Sequence, residues 1–335
     1  MSELILDLSE GIQEIQKQKA KRVVIQLPEG LKVKSFEIVN EIQTQTGAQC
    51  IVLCDPVFGA CDLAEYERNQ LKADIILHFG HTQFVKKDFG KTIYIPLLYE
   101  IDSRVEEKLG NELVKKLQKE KIKTIGISGV IQFKPTIEFL KKYLTQQGLE
   151  IKTGKGKLTG EAQLLGCDAL SVKSIENQVD CIVYVGDGNF HSLPIQFTLD
   201  KKIFALNPLN ETIEELKGDK ERYLRQRYGL IALAQRAQKF GILVSLKEGQ
   251  YRIELALQLK KTIEQTGKQA YVFAADLILP EFFIGLDIDC FVCTACPRIS
   301  IEDAKKWKKP LINGIELEMA LGKRSMENYI FEELI

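Results

Sequence analysis

Asp289-Cys290-Phe291-Val292-Cys293-Thr294-Ala295-Cys296-Pro297-Arg298-Ile299-Ser300 runs from an acidic residue through a short apolar stretch to a cysteine, a proline and an arginine. The apolar run is too short for a helix and rich in β-forming side chains, so it reads as a buried strand, with Pro297 marking the chain's exit. The same opening occurs twice upstream, in Asp74-Ile75-Ile76-Leu77-His78-Phe79-Gly80-His81 and in Asp180-Cys181-Ile182-Val183-Tyr184-Val185-Gly186-Asp187-Gly188. Each is followed by a lysine-bearing joint and one more apolar strand: Lys91-Thr92-Ile93, Lys201-Lys202-Ile203 and Lys309-Pro310-Leu311.

Outward from these strands the pattern alternates. Val23 to Leu27, Thr124 to Val130 and Gly241 to Ser245 read as buried strands. Each leads to a helical stretch closed by a glycine, at Gly47, Gly148 and Gly267. Strand and helix in alternation specify an α/β class with parallel sheets flanked by helices. The repeat, of roughly 100 residues, divides the chain into three tandem, similar domains: 1–104, 105–211 and 212–335. Helices are expected to open at Cys61 and at Cys167, and one long helix over Glu215 to Lys239.

The 335 residues carry 46 basic and 46 acidic side chains, so no overall positive field invites direct nucleic-acid binding. No apolar run is long enough to cross a membrane. The start, Met1-Ser2-Glu3-Leu4, has no basic, apolar leader, which leads us to expect a cytoplasmic protein. Eight cysteines in that setting are buried hydrophobes, metal ligands or nucleophiles before they are disulfides.

Ligands of parallel α/β sheets lie beyond the carboxyl ends of the strands. Cys50, Cys181 and Cys290 fall near strand starts, among apolar neighbours, and read as core. Cys54 ends a strand before Asp55-Pro56. Cys61 and Cys167 each closely follow a glycine and precede an aspartate, in equivalent loops of the first two repeats. The third repeat has Leu279-Pro280-Glu281 in that loop, but offers Cys296 at the carboxyl end of its third strand. One cysteine per repeat at the ligand-binding edge makes a three-legged site. Three thiolates suit zinc with an open position, or a [4Fe–4S] cluster with one iron left for a substrate. A local alternative is Cys290, Cys293 and Cys296 at ferredoxin-like spacing, but strand alternation sends Cys290 and Cys293 to opposite faces. Non-catalytic zinc binding between domains, and nucleotide binding at the glycine-bearing loops Gly126-x-Ser128-Gly129 and Val185-Gly186-Asp187-Gly188, are the other classes of reading.

Several of these stretches resemble the archaeal 2-(3-amino-3-carboxypropyl)histidine synthase family of diphthamide synthesis. They are Phe58-Gly59-Ala60-Cys61-Asp62-Leu63-Ala64, His78-Phe79-Gly80-His81, Leu165-Gly166-Cys167-Asp168, Val185-Gly186-Asp187-Gly188-x-Phe190-His191 and Thr294-Ala295-Cys296-Pro297-Arg298, with Gln26-Leu27-Pro28-Glu29-Gly30-Leu31 at the start. The resemblance spans essentially the whole chain. It implies a homodimer of three-domain subunits in which Cys61, Cys167 and Cys296 hold a [4Fe–4S] cluster. It implies S-adenosylmethionine as cosubstrate, cleaved between sulfur and the γ-carbon after reduction by an electron donor. The 3-amino-3-carboxypropyl radical then adds to C2 of a histidine imidazole in translation elongation factor 2. By position, Asp187, Gln250 and Arg298 are candidates to bind S-adenosylmethionine. His81 and His191 are candidates to take the proton that the imidazole adduct loses. His78, inside its strand, reads as core.

Overall fold

The short apolar runs become strands, named here in chain order: β1 (Glu3–Leu6), β2 (Arg22–Gln26), β3 (Gln49–Val52), β4 (Ile75–Phe79), β5 (Thr92–Ile95), β6 (Leu97–Glu100), β7 (Thr124–Gly129), β8 (Glu150–Lys152), β9 (Cys181–Val185), β10 (Lys202–Asn207), β11 (Thr212–Glu215), β12 (Lys239–Ser245), β13 (Gln269–Ala275), β14 (Cys290–Cys293) and β15 (Leu311–Asn313). The computed structural model describes residues 3–83, 91–157, 159–188, 191–217, 219–327 and 329–331, and Phe190 of the sequence motif lies outside them. Three sheets share one strand order. They are β3-β2-β4-β5, β8-β7-β9-β10 with β11 added at its edge, and β13-β12-β14-β15. The pairings within β3-β2-β4-β5, β8-β7-β9-β10 and β13-β12-β14-β15 are parallel.

The aspartates that head the repeated strands have one structural job, done three times. Asp74 Oδ2 accepts the main-chain N–H groups of Lys21 and Arg22. Asp180 Oδ2 accepts those of Lys123 and Thr124, and Asp289 Oδ2 those of Gln238 and Lys239. Each carboxylate satisfies the two amides entering the first strand of its sheet and so fixes the start of the third strand beside it. A one-residue slip would send every buried side chain to the wrong face, so this pin has leverage on register. The cores then close on both faces. Val23, Ile25, Ile75, Leu77 and Phe79 pack with Ile12, Ile15, Ile38 and Ile42 in the first. On β14, Cys290 and Val292 face one cluster with Ile231, Ala256 and Ile263, while Phe291 and Cys293 face another with Phe283 and Trp307.

The helices follow their sequence cues. Ser103–Lys119 begins where Asp102 Oδ1 accepts the Arg104 N–H at 3.0 Å, and it buries Leu109, Leu113 and Leu117 at four-residue spacing. Several expectations need correction. Cys61 and Cys167 do not open helices: they lie in turns, and the helices Glu65–Gln70 and Leu170–Lys173 start later and are short. The expected long helix is shorter, Asp219–Arg236, because β11 takes Thr212–Glu215 and β12 begins at Lys239. Sequence reading also missed β1 and β6, which pair antiparallel. With four residues each, they are too brief to show a period.

By packing, the chain forms two units. One comprises Met1–Leu164, Leu170–Gly188 and Lys201–Glu214; the other comprises Leu165–Ala169, Asn189–Asp200 and Glu215–Ile335. The second unit therefore contains the third sheet together with the Cys167 turn and the His191 segment.

Candidate functional site

The eight cysteines separate by burial and by position on the strands. Cys181, Cys290 and Cys293 are fully enclosed. Burial pushes the Cys181 thiol up to about 12 and that of Cys290 higher still, so both stay protonated and act as core. Cys50 is half-buried against the core of the first sheet, and burial raises its thiol to about 11. Cys54 is exposed, and its carbonyl accepts Lys32 Nζ at 2.8 Å. With Cys290 and Cys293 on opposite faces of β14 and sealed in two cores, the ferredoxin-like local site has no physical basis.

Cys61, Cys167 and Cys296 are the partly exposed cysteines in loops beyond carboxyl strand ends. Cys61 follows β3, in a turn closed by the Asp62 N–H donating to the Gly59 carbonyl at 3.0 Å. Cys167 follows β8, in a turn closed between Leu165 and Asp168. Cys296 follows β14 and is the N-cap of the helix Pro297–Ile301. Cys61 belongs to the first unit, Cys167 and Cys296 to the second. Within the described residues, no group of three or more His, Cys, Asp or Glu side chains is gathered to hold a metal ion.

The segment after Cys296 is anchored by a buried ionic hub. Arg227, 1 % exposed, pairs with the fully buried Glu316 through two hydrogen bonds and donates to the carbonyls of Ser300 and Leu311. Tyr329 Oη donates to Glu316 Oε1 at 2.7 Å, and Asn313 and Glu316 cap the helix Gly314–Ala320 reciprocally. One guanidinium thereby ties β15 to the helix that Cys296 caps. On the other side, the Cys296 N–H donates to Gln250 Oε1 at 3.4 Å, and Gln250 is buried in the short helical turn Glu248–Gln250 that follows β12. Arg298 is exposed and pairs with Glu302 at 3.0 Å. Asp187 is exposed in the loop after β9, and His191 is half-buried just ahead of the helix Leu193–Thr198.

His81 stands on more structure than its sequence showed. Gly80 has φ +86°, a conformation that a side chain resists, and it folds His81 back over the end of β4. The adjacent backbone is held by Gln132 Nε2 on the Gly80 carbonyl at 3.0 Å and by Gln163 Nε2 on Thr82 Oγ1 at 2.7 Å. His78 lies in the core as expected, yet it is wired. Its Nδ1 is 2.7 Å from Gln26 Oε1 and its Nε2 is 3.0 Å from His81 Nδ1. Burial, with His81 close by, lowers His78 to about 3; burial also lowers His81 to about 4, opposed by a hydrogen bond to the Phe79 carbonyl. Both rings are neutral at pH 7. Sequence reading passed over Gln26 as a partner of His78. The available signal was a polar side chain closing an otherwise apolar strand, Val23-Val24-Ile25-Gln26.

The model of the diphthamide synthesis protein family matches residues 27–330. This chain belongs to that family. Among curated members, it is 30% identical to the 2-(3-amino-3-carboxypropyl)histidine synthase of Pyrococcus horikoshii, over 98% of this chain and 93% of that protein. It is 30% identical to subunit 1 of the 2-(3-amino-3-carboxypropyl)histidine synthase of Kluyveromyces lactis, over 96% of this chain and 76% of that one. The diphthamide synthesis fold also matches in three dimensions. The crystal structure of Dph2 from Pyrococcus horikoshii with a 4Fe-4S cluster superposes with a TM-score of 0.88 at 28% identity, covering 100% of this chain and 95% of the other. Among the described residues, no helix is long and apolar enough to cross a membrane.

Proposed function

We propose that this chain is a 2-(3-amino-3-carboxypropyl)histidine synthase. It transfers the 3-amino-3-carboxypropyl group of S-adenosylmethionine to C2 of a histidine imidazole in translation elongation factor 2, the first step of diphthamide formation. The ligands of its [4Fe–4S] cluster are Cys61, Cys167 and Cys296, one from each of three α/β domains spanning 1–104, 105–211 and 212–335. The observation that carries this reading is the arrangement of the cysteines. Cys61, Cys167 and Cys296 are each partly exposed and follow β3, β8 and β14 in the chain, strands of three sheets of one strand order, and sheets of this kind bind ligands beyond their carboxyl ends. Thiolates are the donors that iron–sulfur clusters take, and three of them leave one iron open.

A bound cluster supplies a low-potential electron and a coordination site at that iron, the requirements for homolysis of a sulfonium carbon–sulfur bond. The chain's own part is binding and orientation. Gln250, hydrogen-bonded to the Cys296 backbone, is a candidate to hold the cosubstrate. Arg298 offers a guanidinium for the methionine carboxylate once it leaves Glu302. Asp187 offers a carboxylate for the amine or ribose. His81 and His191 are the candidate proton acceptors. The enzyme works as a homodimer in the cytoplasm, served by a separate electron donor.

The cysteine assignment is tested by anaerobic purification of single variants. Cys61→Ala, Cys167→Ala and Cys296→Ala should each lose the brown absorption and bound iron, while Cys181→Ala and Cys290→Ala retain both. A Cys167→Ala protein with a full complement of iron would overturn the three-domain site.

A further inference from the structure

Gln26 and His78 are register partners on β2 and β4, and their side chains meet inside the first unit. Gln26 Nε2 donates to the main-chain carbonyl of Asp62, next to Cys61, at 2.7 Å. A carbonyl only accepts, so the amide orientation is fixed, and Gln26 Oε1 must face His78 Nδ1 as an acceptor. His78 therefore carries its proton on Nδ1. A neutral ring so protonated has its lone pair on Nε2, which faces His81 Nδ1 at 3.0 Å. His81 Nδ1 is then the donor; since the Phe79 carbonyl also takes a hydrogen bond from this ring, the one Nδ1–H serves both acceptors and the unshared pair of His81 lies on Nε2. The directions of the Gln26–His78 and His78–His81 bonds follow from one backbone carbonyl in the Cys61 turn.

We propose that this relay, Asp62 carbonyl to Gln26 to His78 to His81, presents His81 Nε2 as the acceptor of the imidazole C2 proton, with Gln26 and His78 as positioning residues. The assignment rests on the synthase reading above and selects His81 over His191. Addition of the aminocarboxypropyl radical forms a carbon–carbon bond at C2. The C2–H bond then breaks with its electrons staying on the ring. The proton passes to His81 Nε2, and the odd electron passes to an iron–sulfur acceptor, which restores the closed-shell aromatic ring. Only a lone pair fixed on Nε2 can take that proton; an Nε2–H tautomer would block it.

The chain has only three histidines, so labelling their ring nitrogens gives a readable spectrum. Long-range proton–nitrogen correlation on the full chain should show both His78 and His81 as Nδ1–H tautomers. In Gln26→Leu, His78 should lose its single tautomer. Turnover should fall roughly tenfold, with KM for the factor and the iron content unchanged. His81→Ala should lower turnover by about a hundredfold, the lower range for general base catalysis. An Nε2–H tautomer at His81, or wild-type turnover in His81→Ala, would overturn the relay while leaving the synthase reading intact. A wild-type enzyme that fails to modify the factor would remove the synthase reading itself, and the relay with it.

Discussion

His78 has no exposed surface and hydrogen-bonds Gln26 and the neutral His81, which makes its neutrality a condition of folding. Its ordinary value is 6.5, and in the folded protein burial lowers it to about 3. As pH falls, the unfolded chain takes up the proton first. The contribution of His78 to stability is therefore complete above 6.5 and is lost as pH drops toward 3. At pH 5 the expected loss is on the order of 2 kcal/mol. It is read as a lower urea midpoint than at pH 7.5, with a flatter profile in His78→Phe. A wild-type midpoint unchanged between those pH values would contradict the buried neutral pair. An apolar strand around His78 places it in the core, and it is there. Its partner was not legible, because Gln26 is 52 residues away and only the pairing of β2 with β4 brings the two together.

The repeated aspartates and the Arg227 hub set how strands and helices are seated. Two main-chain amides hold each of Asp74, Asp180 and Asp289 below the ordinary carboxylate range. Replacing any one by alanine should cost about 1–2 kcal/mol in chemical denaturation, with asparagine recovering part of it. An unchanged midpoint in all three would show that the pins are dispensable. Arg227→Met leaves Glu316 buried without its charge partner and should cost about 3–5 kcal/mol; adding Glu316→Leu should restore most of that. The strands were visible in advance because their apolar runs are bounded by Asp, Gly and Pro. The turns at Cys61 and Cys167 read as helix starts because a glycine shortly before a cysteine and an aspartate, as in Gly59-Ala60-Cys61-Asp62 and Gly166-Cys167-Asp168, looks like a capping sequence. In the structure, backbone hydrogen bonds close these segments as turns before any helix begins.

At the level of the whole molecule, the threefold recurrence of an aspartate-led strand in the sequence corresponds to three sheets of identical order. That correspondence made the cysteines sortable: core position explains Cys181, Cys290 and Cys293, and partial exposure in a loop separates Cys61, Cys167 and Cys296 from the exposed Cys54 and the strand-borne Cys50. The reaction itself was not legible from spacing. Three thiolates fit zinc as well as iron, and the choice comes from membership of the diphthamide synthesis family and from the likeness to a cluster-bearing structure. The most direct measurement is mass spectrometry of the histidine-bearing peptide of elongation factor 2 after anaerobic incubation with this protein, S-adenosylmethionine and dithionite. A 3-amino-3-carboxypropyl group on the histidine, with methylthioadenosine as coproduct, is the predicted result; an unmodified histidine, or 5′-deoxyadenosine as the main product, would contradict it.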